Sequence, residues 1–393
     1  YFLDLVAFSV FLPVHAASLE RFKVIGDTGL IYYDEQWAKP GNTHYNGPFM
    51  IQQWRFKRSI RLRKNPYYWD RSAVKLQTIE IIDVADANTA WLMYESGRVD
   101  WLSDLTTDFA PELIAMSRSP LPGALNSHTA NARRNDVHVF PAFGTYFYNF
   151  NCTERLPDGR PNPFRDRRLR QAFTQAVDRQ ELVRRVVRLG NRPATAFIPP
   201  GSIPGYPAVR GLGYDVARAR RLLAEAGYPD GRGLPEITIL FNSDRAHSRI
   251  AQAVAAMWQR NLGVRVRMQA KEGKVFREDK ANVRFMICRA GWYGDYGDPT
   301  TFLDVFRTGN GNNDSGFADP YYDRLLDQAE RQPTPAARLA RLAEAERYLV
   351  NQALPLLPLY HYVNIFAFDP QRVQNIYLTP RMMTMLKYVQ VRR

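Results

Sequence analysis

Short apolar or alternating runs open the first third of the chain: "GPFMIQQW", "SIRLRKN" and "LQTIEIIDV" read as strands, with "NPYYW" as a turn between them. Asp86 is placed to cap a helix through Trp91, Leu92 and Tyr94 that stops at Gly97. After the polar stretch "SHTANARRNDVH", the segment "GTYFYNFN" (144–151) alternates aromatic with small or polar residues, as a strand with one buried face should. The period then lengthens. Asp166 caps a helix carrying Leu169, Ala172, Phe173, Ala176 and Val177 on one face, and a second helix begins with capping-box spacing at Asp178 and Glu181 and stops at Gly190.

Helix and strand alternate from there. Asp215 starts a helix ending at "AGYPDG", "EITILFN" is a strand, "HSRIAQAVAAMWQRNLG" is an amphipathic helix with Ile250, Val254, Trp258 and Leu262 inward, and "VRVRMQ" alternates as a strand. Strand "RFMICRA" delivers the chain into "CRAGWYGDYGDP" (288–299), and helices at about 319–331 and 335–352 follow, the latter with Pro335 at its first position after Thr334. The closing "LPLLPLYHYVNIFAFDP" is strand-like again and resembles the early part of the chain more than its helical middle. The pattern is α/β, a sheet covered by helices, in a chain that returns to its first domain after building a second.

Composition narrows the classes. The 393 residues are 45% hydrophobic and 23% charged, enough for more than one core. A net charge of +14 raises nucleic acid or an anionic surface as partners, but the basic residues are scattered through segments such as "RDRRLRQAFTQAVDRQELVRRVV", where solvated helix faces account for them, and no nucleic-acid module is present. Cys152 and Cys288 form no metal-binding spacing; they read as small buried thiols or as one bridge. The opening "YFLDLVAFSVFLPVHAASL" lacks an initiator Met and a basic leader and is interrupted by Asp4, so it reads as an interior helix of a longer protein. No apolar run reaches the roughly 18 residues of a membrane span.

Chemistry concentrates in "CRAGWYGDYGDP", where Asp295 with His247 could be imagined as acid/base chemistry, or Asp295 with Asp298 as the paired carboxylates of a hydrolase. There is, however, no serine or cysteine nucleophile motif, no HExxH and no phosphate-binding glycine loop, and His15, His44, His128, His138, His247 and His361 show no metal spacing. No enzyme, cofactor or metal is expected.

Several separated blocks, "NGPFMIQQWRFKRSIRLRKNPYYWD", "FRDRRLRQAFTQAVDRQELV", "YDVARARRLLAEAGYPDG", "RAGWYGDYGDPTTFLDVF", "NGNNDSGFADPYYDRLLDQA" and "LPLLPLYHYVN", resemble in order the family 5 extracellular solute-binding proteins, the peptide, nickel and opine receptors of ATP-binding-cassette importers. From about His247 through Asp295 the chain looks most like the oligopeptide-binding members. The resemblance implies a periplasmic-binding-protein type II-like fold of two lobes closing around ligand, with the family's extra domain mostly missing. Residues 1–18 would be the end of that extra domain, 19–143 part of lobe I, 144–354 lobe II, and 355–393 a return to lobe I. It also implies an oligopeptide ligand, with dipeptides, a nickel chelate or another small solute as the alternative. Membrane permease subunits as partners, action as a monomer, and a periplasmic or extracytoplasmic location with or without a lipid anchor follow from the same likeness.

A receptor for many peptides must grip what all peptides share, the main chain and the terminal charges, which strand addition and fixed counter-charges accomplish. By resemblance Asp295 meets the ligand ammonium, its other reading being a turn aspartate, while Asp298 before Pro299 reads as a cap. Arg289 and His247 match positions that meet the peptide carboxylate, His247 when protonated or through water. Otherwise Arg289 is a structural ion pair and His247 a residue on a solvated helix face. Main-chain partners are expected around Gly291 and Trp292, where glycine allows close approach. Trp292 is either ligand contact or core, and Tyr146, Tyr148, Tyr360 and Tyr362 either line the cleft or pack the hinge. Two departures bear on specificity: Gly273 in "EGK" replaces a tryptophan of the similar receptors, and Tyr293 replaces a half-cystine.

Overall fold

The computed structural model describes residues 2–6, 8, 11–105, 108–130, 132–376 and 384–392. The chain divides into two compact units, one of Val6–Phe140 with Asn364–Arg393, the other of Pro141–Val363 with Tyr1–Leu5.

In the first unit, β1 (Lys23–Ile25) and β2 (Ile31–Tyr33) form a hairpin, and β3 (Phe49–Arg55), β4 (Ser59–Lys64) and β5 (Thr78–Ile82) form an antiparallel three-stranded sheet. The three longer strands are those read from the alternating runs. Asp86 caps the helix Ala87–Glu95, its Oδ1 accepting from Thr89 N at 2.7 Å. The expected opening helix is interrupted: Phe2–Val6 and Ala16–Glu20 are helical, whereas residues 13–15 are not, because Pro13 has no N–H to continue a helix and the ring of His15 accepts from Ser18 N as a cap. His138 is a buried structural histidine, held by Ser119 Oγ at 2.8 Å and the carbonyl of Phe368 at 3.0 Å.

The second unit is built on β6 (Val137–Phe150), β7 (Arg192–Pro193), β8 (Ile237–Asn242), β9 (Val266–Lys271), β10 (Ile287–Tyr293) and β11 (Leu356–Ala367), with β6 and β11 each carrying the chain across the division. Among the described residues these strands form one sheet in the order β7-β11-β6-β10-β8-β9. β10 runs antiparallel to β6 and parallel to β8, which is parallel to β9. Period-2 alternation on β6 sorts its side chains: Tyr146, Tyr148 and Phe150 join Phe173, Val254 and Trp258 on one face, while Phe143 and Phe147 join Phe197, Phe302, Phe306 and Leu342 on the other. A pair, β12 (Val373–Gln374) and β13 (Gln390–Val391), completes the first unit.

Helices Arg167–Gln175, Val216–Glu225 and Pro335–Tyr348 begin at the expected Asp166, Asp215 and Thr334, while Arg245–Leu262 and Pro320–Glu330 are capped by Asp244 and Asp319. Two readings need correction. Asp178 does accept from Glu181 N (2.9 Å), but the helix it starts changes after one turn into the π-turn Leu182–Val187 and ends at Arg188, which takes a left-handed φ of 59°, two residues before Gly190. The basic residues of this region are not all solvated. Arg170 and Arg179 are buried: Arg170 donates to the carbonyls of Phe164 and Ala353 and Arg179 to that of Pro358, tying the helices to β11 and to the turn that leads into it. Cys152 and Cys288 are both free thiols. Among the described residues no helix is long and apolar enough to cross a membrane.

Candidate functional site

The motif at 288–299 is half strand. β10 continues through Trp292 and Tyr293, and its whole length pairs with β6, from Ile287 opposite Phe150 to Tyr293 opposite Gly144. On its other side β8 pairs only with Ile287 and Cys288. β8 stops at Asn242, since Asp244 turns the chain into the helix Arg245–Leu262 by accepting from the N–H groups of Ala246 and His247. From Arg289 onward, the edge of β10 therefore has no strand beside it among the described residues.

The phase of the ladder says which groups face that edge. Asn151 N donates to Met286 O (3.0 Å) and Gly294 N to Phe143 O (2.8 Å), so even-numbered residues of β10 bond β6. In an antiparallel ladder the intervening residues point the other way. Arg289, Gly291 and Tyr293 thus direct N–H and C=O to the open edge, while Trp292, opposite Thr145, is committed to β6.

Side chains of the odd-numbered residues share a face with a cluster of phenols. The Arg289 guanidinium lies 5.1 Å from the centre of the Tyr146 ring, Tyr146 stacks on Tyr360 at 4.8 Å and 11°, and Tyr362 stacks on Tyr293 at 4.6 Å and 10°. Tyr146 Oη and His247 Nδ1 are hydrogen-bonded at 3.2 Å, which brings the helix into the cluster. No carboxylate lies within ion-pair distance of Arg289 among the described residues, and its Nε is buried without a partner. Burial alone would lower the Arg289 pKa, but the phenols of Tyr362, Tyr146 and Tyr360 together hold it above the usual arginine value. A partly buried cation surrounded by phenol oxygens and short of one acceptor is disposed to take an anion.

The opposite end of the open edge carries the opposite charge. Asp295 sits in the exposed turn after β10; its main-chain N donates to Thr301 Oγ1 at 2.9 Å, and its carboxylate has no partner among the described residues. Partial burial raises its pKa. Asp298, three residues on, is its reverse. It is buried, accepts from Thr300 N (3.1 Å) and Thr300 Oγ1 (2.7 Å), and takes a bidentate pair from Arg338 at 2.6 and 2.9 Å. The structure thus separates the two aspartates: Asp298 pins the turn, and Asp295 is displayed by it.

Four of the expected site residues change their meaning. His247 does not offer a charge, because burial and then the Arg289 cation push its pKa down to about 4, so near neutral pH it can meet a carboxylate only as a neutral N–H donor. Trp292 is a structural pin: its indole Nε1 donates to Thr301 O at 2.6 Å and its ring packs on the Phe143 side of the sheet. Tyr146 and Tyr360, 1% and 6% exposed, pack beneath Arg289 as a floor rather than lining an exposed surface. Gly291 does present its main chain at the open edge, but the space its missing Cβ leaves is filled from within, because a Cβ there would lie 2.3 Å from Tyr362 Oη. Gly291→Ala is accordingly expected to lower stability by about 1–3 kcal/mol through overpacking, and Tyr362→Phe in the same chain to recover most of the loss. Denaturant unfolding of the single and double variants checks this; a loss that the second change leaves untouched would place the strain elsewhere.

Tyr362, named from the sequence only as an aromatic that either lines the cleft or packs the hinge, joins the cluster by stacking on Tyr293. Arg338, on the helix expected at about 335–352, carried no local signal of its buried partner 40 residues away.

Known proteins share this fold. Residues 8–314 match the model of the bacterial extracellular solute-binding proteins, family 5 middle region. The oligopeptide-binding protein OppA of Bacillus subtilis is 32% identical over 384 residues, covering 94% of this chain and 63% of that protein. The periplasmic murein peptide-binding protein MppA of Escherichia coli is 31% identical over 369 residues, covering 93% and 62%. The solved structure of the Escherichia coli murein tripeptide binding protein MppA superimposes with a TM-score of 0.75 at 28% identity, over 99% of this chain and 70% of that one. The chain thus spans somewhat under two thirds of the length of these curated relatives, and its α/β fold is of the periplasmic-binding-protein kind. A family model matched over most of the chain, with a fold shared almost end to end, makes this chain a member of the bacterial extracellular solute-binding proteins of family 5.

Proposed function

We propose that this chain is the ligand-binding part of a substrate-binding receptor for an ATP-binding-cassette importer, capturing oligopeptides outside the cytoplasm and delivering them, as a monomer, to membrane permease subunits. One observation carries the reading: among the described residues, β10 has no strand beside it from Arg289 onward, with a cation that lacks a carboxylate at one end and a carboxylate without a partner, Asp295, at the other. An extended peptide is the ligand whose chemistry has those three parts in that order. Its main chain supplies a ladder to Arg289 and Gly291, its ammonium pairs with Asp295, and its carboxylate pairs with Arg289 beside the neutral His247.

The charges fix the direction of the ligand. With the ammonium at Asp295 and the carboxylate at Arg289, the peptide runs antiparallel to β10. Six residues separate the two charged positions, at most about 20 Å in extended chain, which suits a ligand of roughly three to five residues once the reach of both side chains is allowed for. The names of the relatives, oligopeptide- and murein peptide-binding proteins, favour the same chemistry. An acid/base reading of the motif lacks its second member, since Asp298 is already neutralised by Arg338.

Native mass spectrometry of the full-length polypeptide purified from its own cells tests the proposal. A heterogeneous envelope of bound peptides is expected, whereas one discrete small solute or a nickel complex would replace peptide by that ligand.

A further inference from the structure

Glu346, on the helix Pro335–Tyr348, is fully buried, yet no ion pair reaches it among the described residues. Its partners are neutral: Oε1 accepts from Phe197 N at 2.9 Å and Ile198 N at 2.8 Å, and Oε2 accepts from Tyr206 Oη at 2.7 Å. These donors belong to the irregular stretch 194–206, where Pro199, Pro200 and Pro204 have no N–H to build a ladder of their own. The carboxylate fixes the stretch at two places instead.

One peptide unit links this carboxylate to the sheet. The Phe197–Ile198 peptide gives its N–H to Glu346, and its carbonyl accepts from the Thr145 hydroxyl at 2.7 Å. Thr145 has no second hydrogen, so at its 2.8 Å contact with His361 Nδ1 the ring nitrogen is the donor. The line therefore runs with one polarity, from His361 Nδ1–H to Thr145, from Thr145 O–H to the Phe197 carbonyl, and from Ile198 N–H to Glu346. A negative charge at its end strengthens each bond in turn. Thr145 precedes Tyr146 on β6 and lies opposite Trp292 of β10, and His361 stands between Tyr360 and Tyr362 on β11.

Resting on the peptide-receptor reading above, we propose that Glu346 is a positioning residue for that site: through the Phe197–Ile198 peptide its carboxylate anchors the two strands whose next residues form the floor under Arg289, and a proton on it slackens the anchor. A carboxyl O–H on Oε2 can donate to Tyr206 Oη while Oε1 keeps the two N–H groups, so protonation removes the charge and reverses one bond without emptying the site. The titratable and charged groups that face Glu346 are Tyr206, Tyr322 of the helix Pro320–Glu330 and Arg347 of its own helix, with Asp304 and Arg307 beyond Tyr322, and His361 and Arg192 at the far end of the line. Burial holds both tyrosines well above their ordinary range and pushes His361 down to about 4, while it raises Glu346 to about 7 against the bonds from Ile198, Tyr206 and Phe197. A raised folded-state pKa means stability that is fully present below the unfolded pKa and is lost as pH rises through the folded value. Acidification thus stabilises the chain at Glu346 while it loosens the site.

Glu346→Gln reproduces the protonated carboxyl, accepting from the two N–H groups and donating to Tyr206. Calorimetric titration of the full-length polypeptide with tri-alanine should give equal affinities for wild type and Glu346→Gln at about pH 5.5, and a wild type about two- to tenfold tighter at about pH 8. Comparing the two chains at each pH cancels the titration of the ligand and of Asp295. Denaturant unfolding should run the other way, the wild type gaining stability on Glu346→Gln as the pH is lowered between those values. In Thr145→Val, which removes the hydroxyl link, adding Glu346→Gln should leave affinity unchanged at both. An affinity ratio that is the same at the two pH values, or one that persists in Thr145→Val, gives Glu346 a merely structural role and overturns the inference. A wild type that binds no peptide at either pH, while its unfolding still reports the proton on Glu346, overturns the peptide-receptor reading and this inference with it.

Discussion

Asp295→Ala is expected to weaken capture of a peptide with a free amino terminus by roughly 2–5 kcal/mol, measured by calorimetry on the full-length polypeptide. The size follows from what is left behind. With the ligand seated, its ammonium is removed from water, and the alanine variant gives that charge no partner, so the variant loses the pairing and keeps the desolvation. An N-acetylated peptide has no ammonium to pair and should bind wild type and variant alike. The magnitude also reports on the environment of the pair: in the unliganded chain Asp295 is exposed, and an exposed ion pair contributes only about 0–1 kcal/mol. A loss in that lower range would mean the carboxylate stays solvated in the complex and would exclude the assigned role. Because partial burial already raises the Asp295 pKa, ammonium binding must hold the carboxylate ionised against that tendency. Affinity should therefore decline as the solution is acidified toward the carboxylate range, and the acetylated peptide, which keeps only its own carboxylate at Arg289, should decline less steeply.

How far the sequence announced this site depends on whether the information was local. Helix starts at Asp86, Asp166 and Asp215 were legible because a cap is local: each accepts from an N–H group two or three residues on. Strand β10 was legible as an apolar run, but not its reach through Tyr293, because glycine, tryptophan and tyrosine in "GWYGDYG" resemble a turn until β6 is seen to pair with them. The open edge itself has no sequence signal at all, since it consists in β8 ending at Asn242 while β10 continues. Charge state was equally hidden. His247 is a helix residue whose neutrality comes from burial and from Arg289, which is 42 positions away. Glu346, on the helix expected at about 335–352, is fully buried and pushed up to about 7 while accepting from the N–H groups of Phe197 and Ile198 and from Tyr206. Periodicity reports which face is apolar; it does not report which polar residue the tertiary structure will bury beside it.

Arg338→Met carries the other large expected effect, a loss of roughly 3–5 kcal/mol in stability. Arg338 and Asp298 are 13% and 6% exposed, and the arginine holds both carboxylate oxygens. Removing it leaves a buried carboxylate with only Thr300 for support. Replacing both residues, Asp298→Asn with Arg338→Met, removes the unpaired charge and should recover a good part of the loss. The pH dependence gives the mechanism away. In the wild type, burial would raise the Asp298 pKa, but the bonds from Arg338 and Thr300 and the Arg338 charge outweigh it and hold the carboxyl below its ordinary value. A depressed folded-state pKa means stability that is fully present above the unfolded pKa, about 4, and is lost as pH falls through the folded value. Without the arginine, burial dominates and the folded pKa rises above the unfolded one, so acidification relieves the variant while it weakens the wild type. Denaturant unfolding at neutral pH and near pH 4 should thus show the two stabilities converging. A gap that stays constant across that range would mean the lost energy came from packing of the arginine stem and not from the ion pair that pins the turn displaying Asp295.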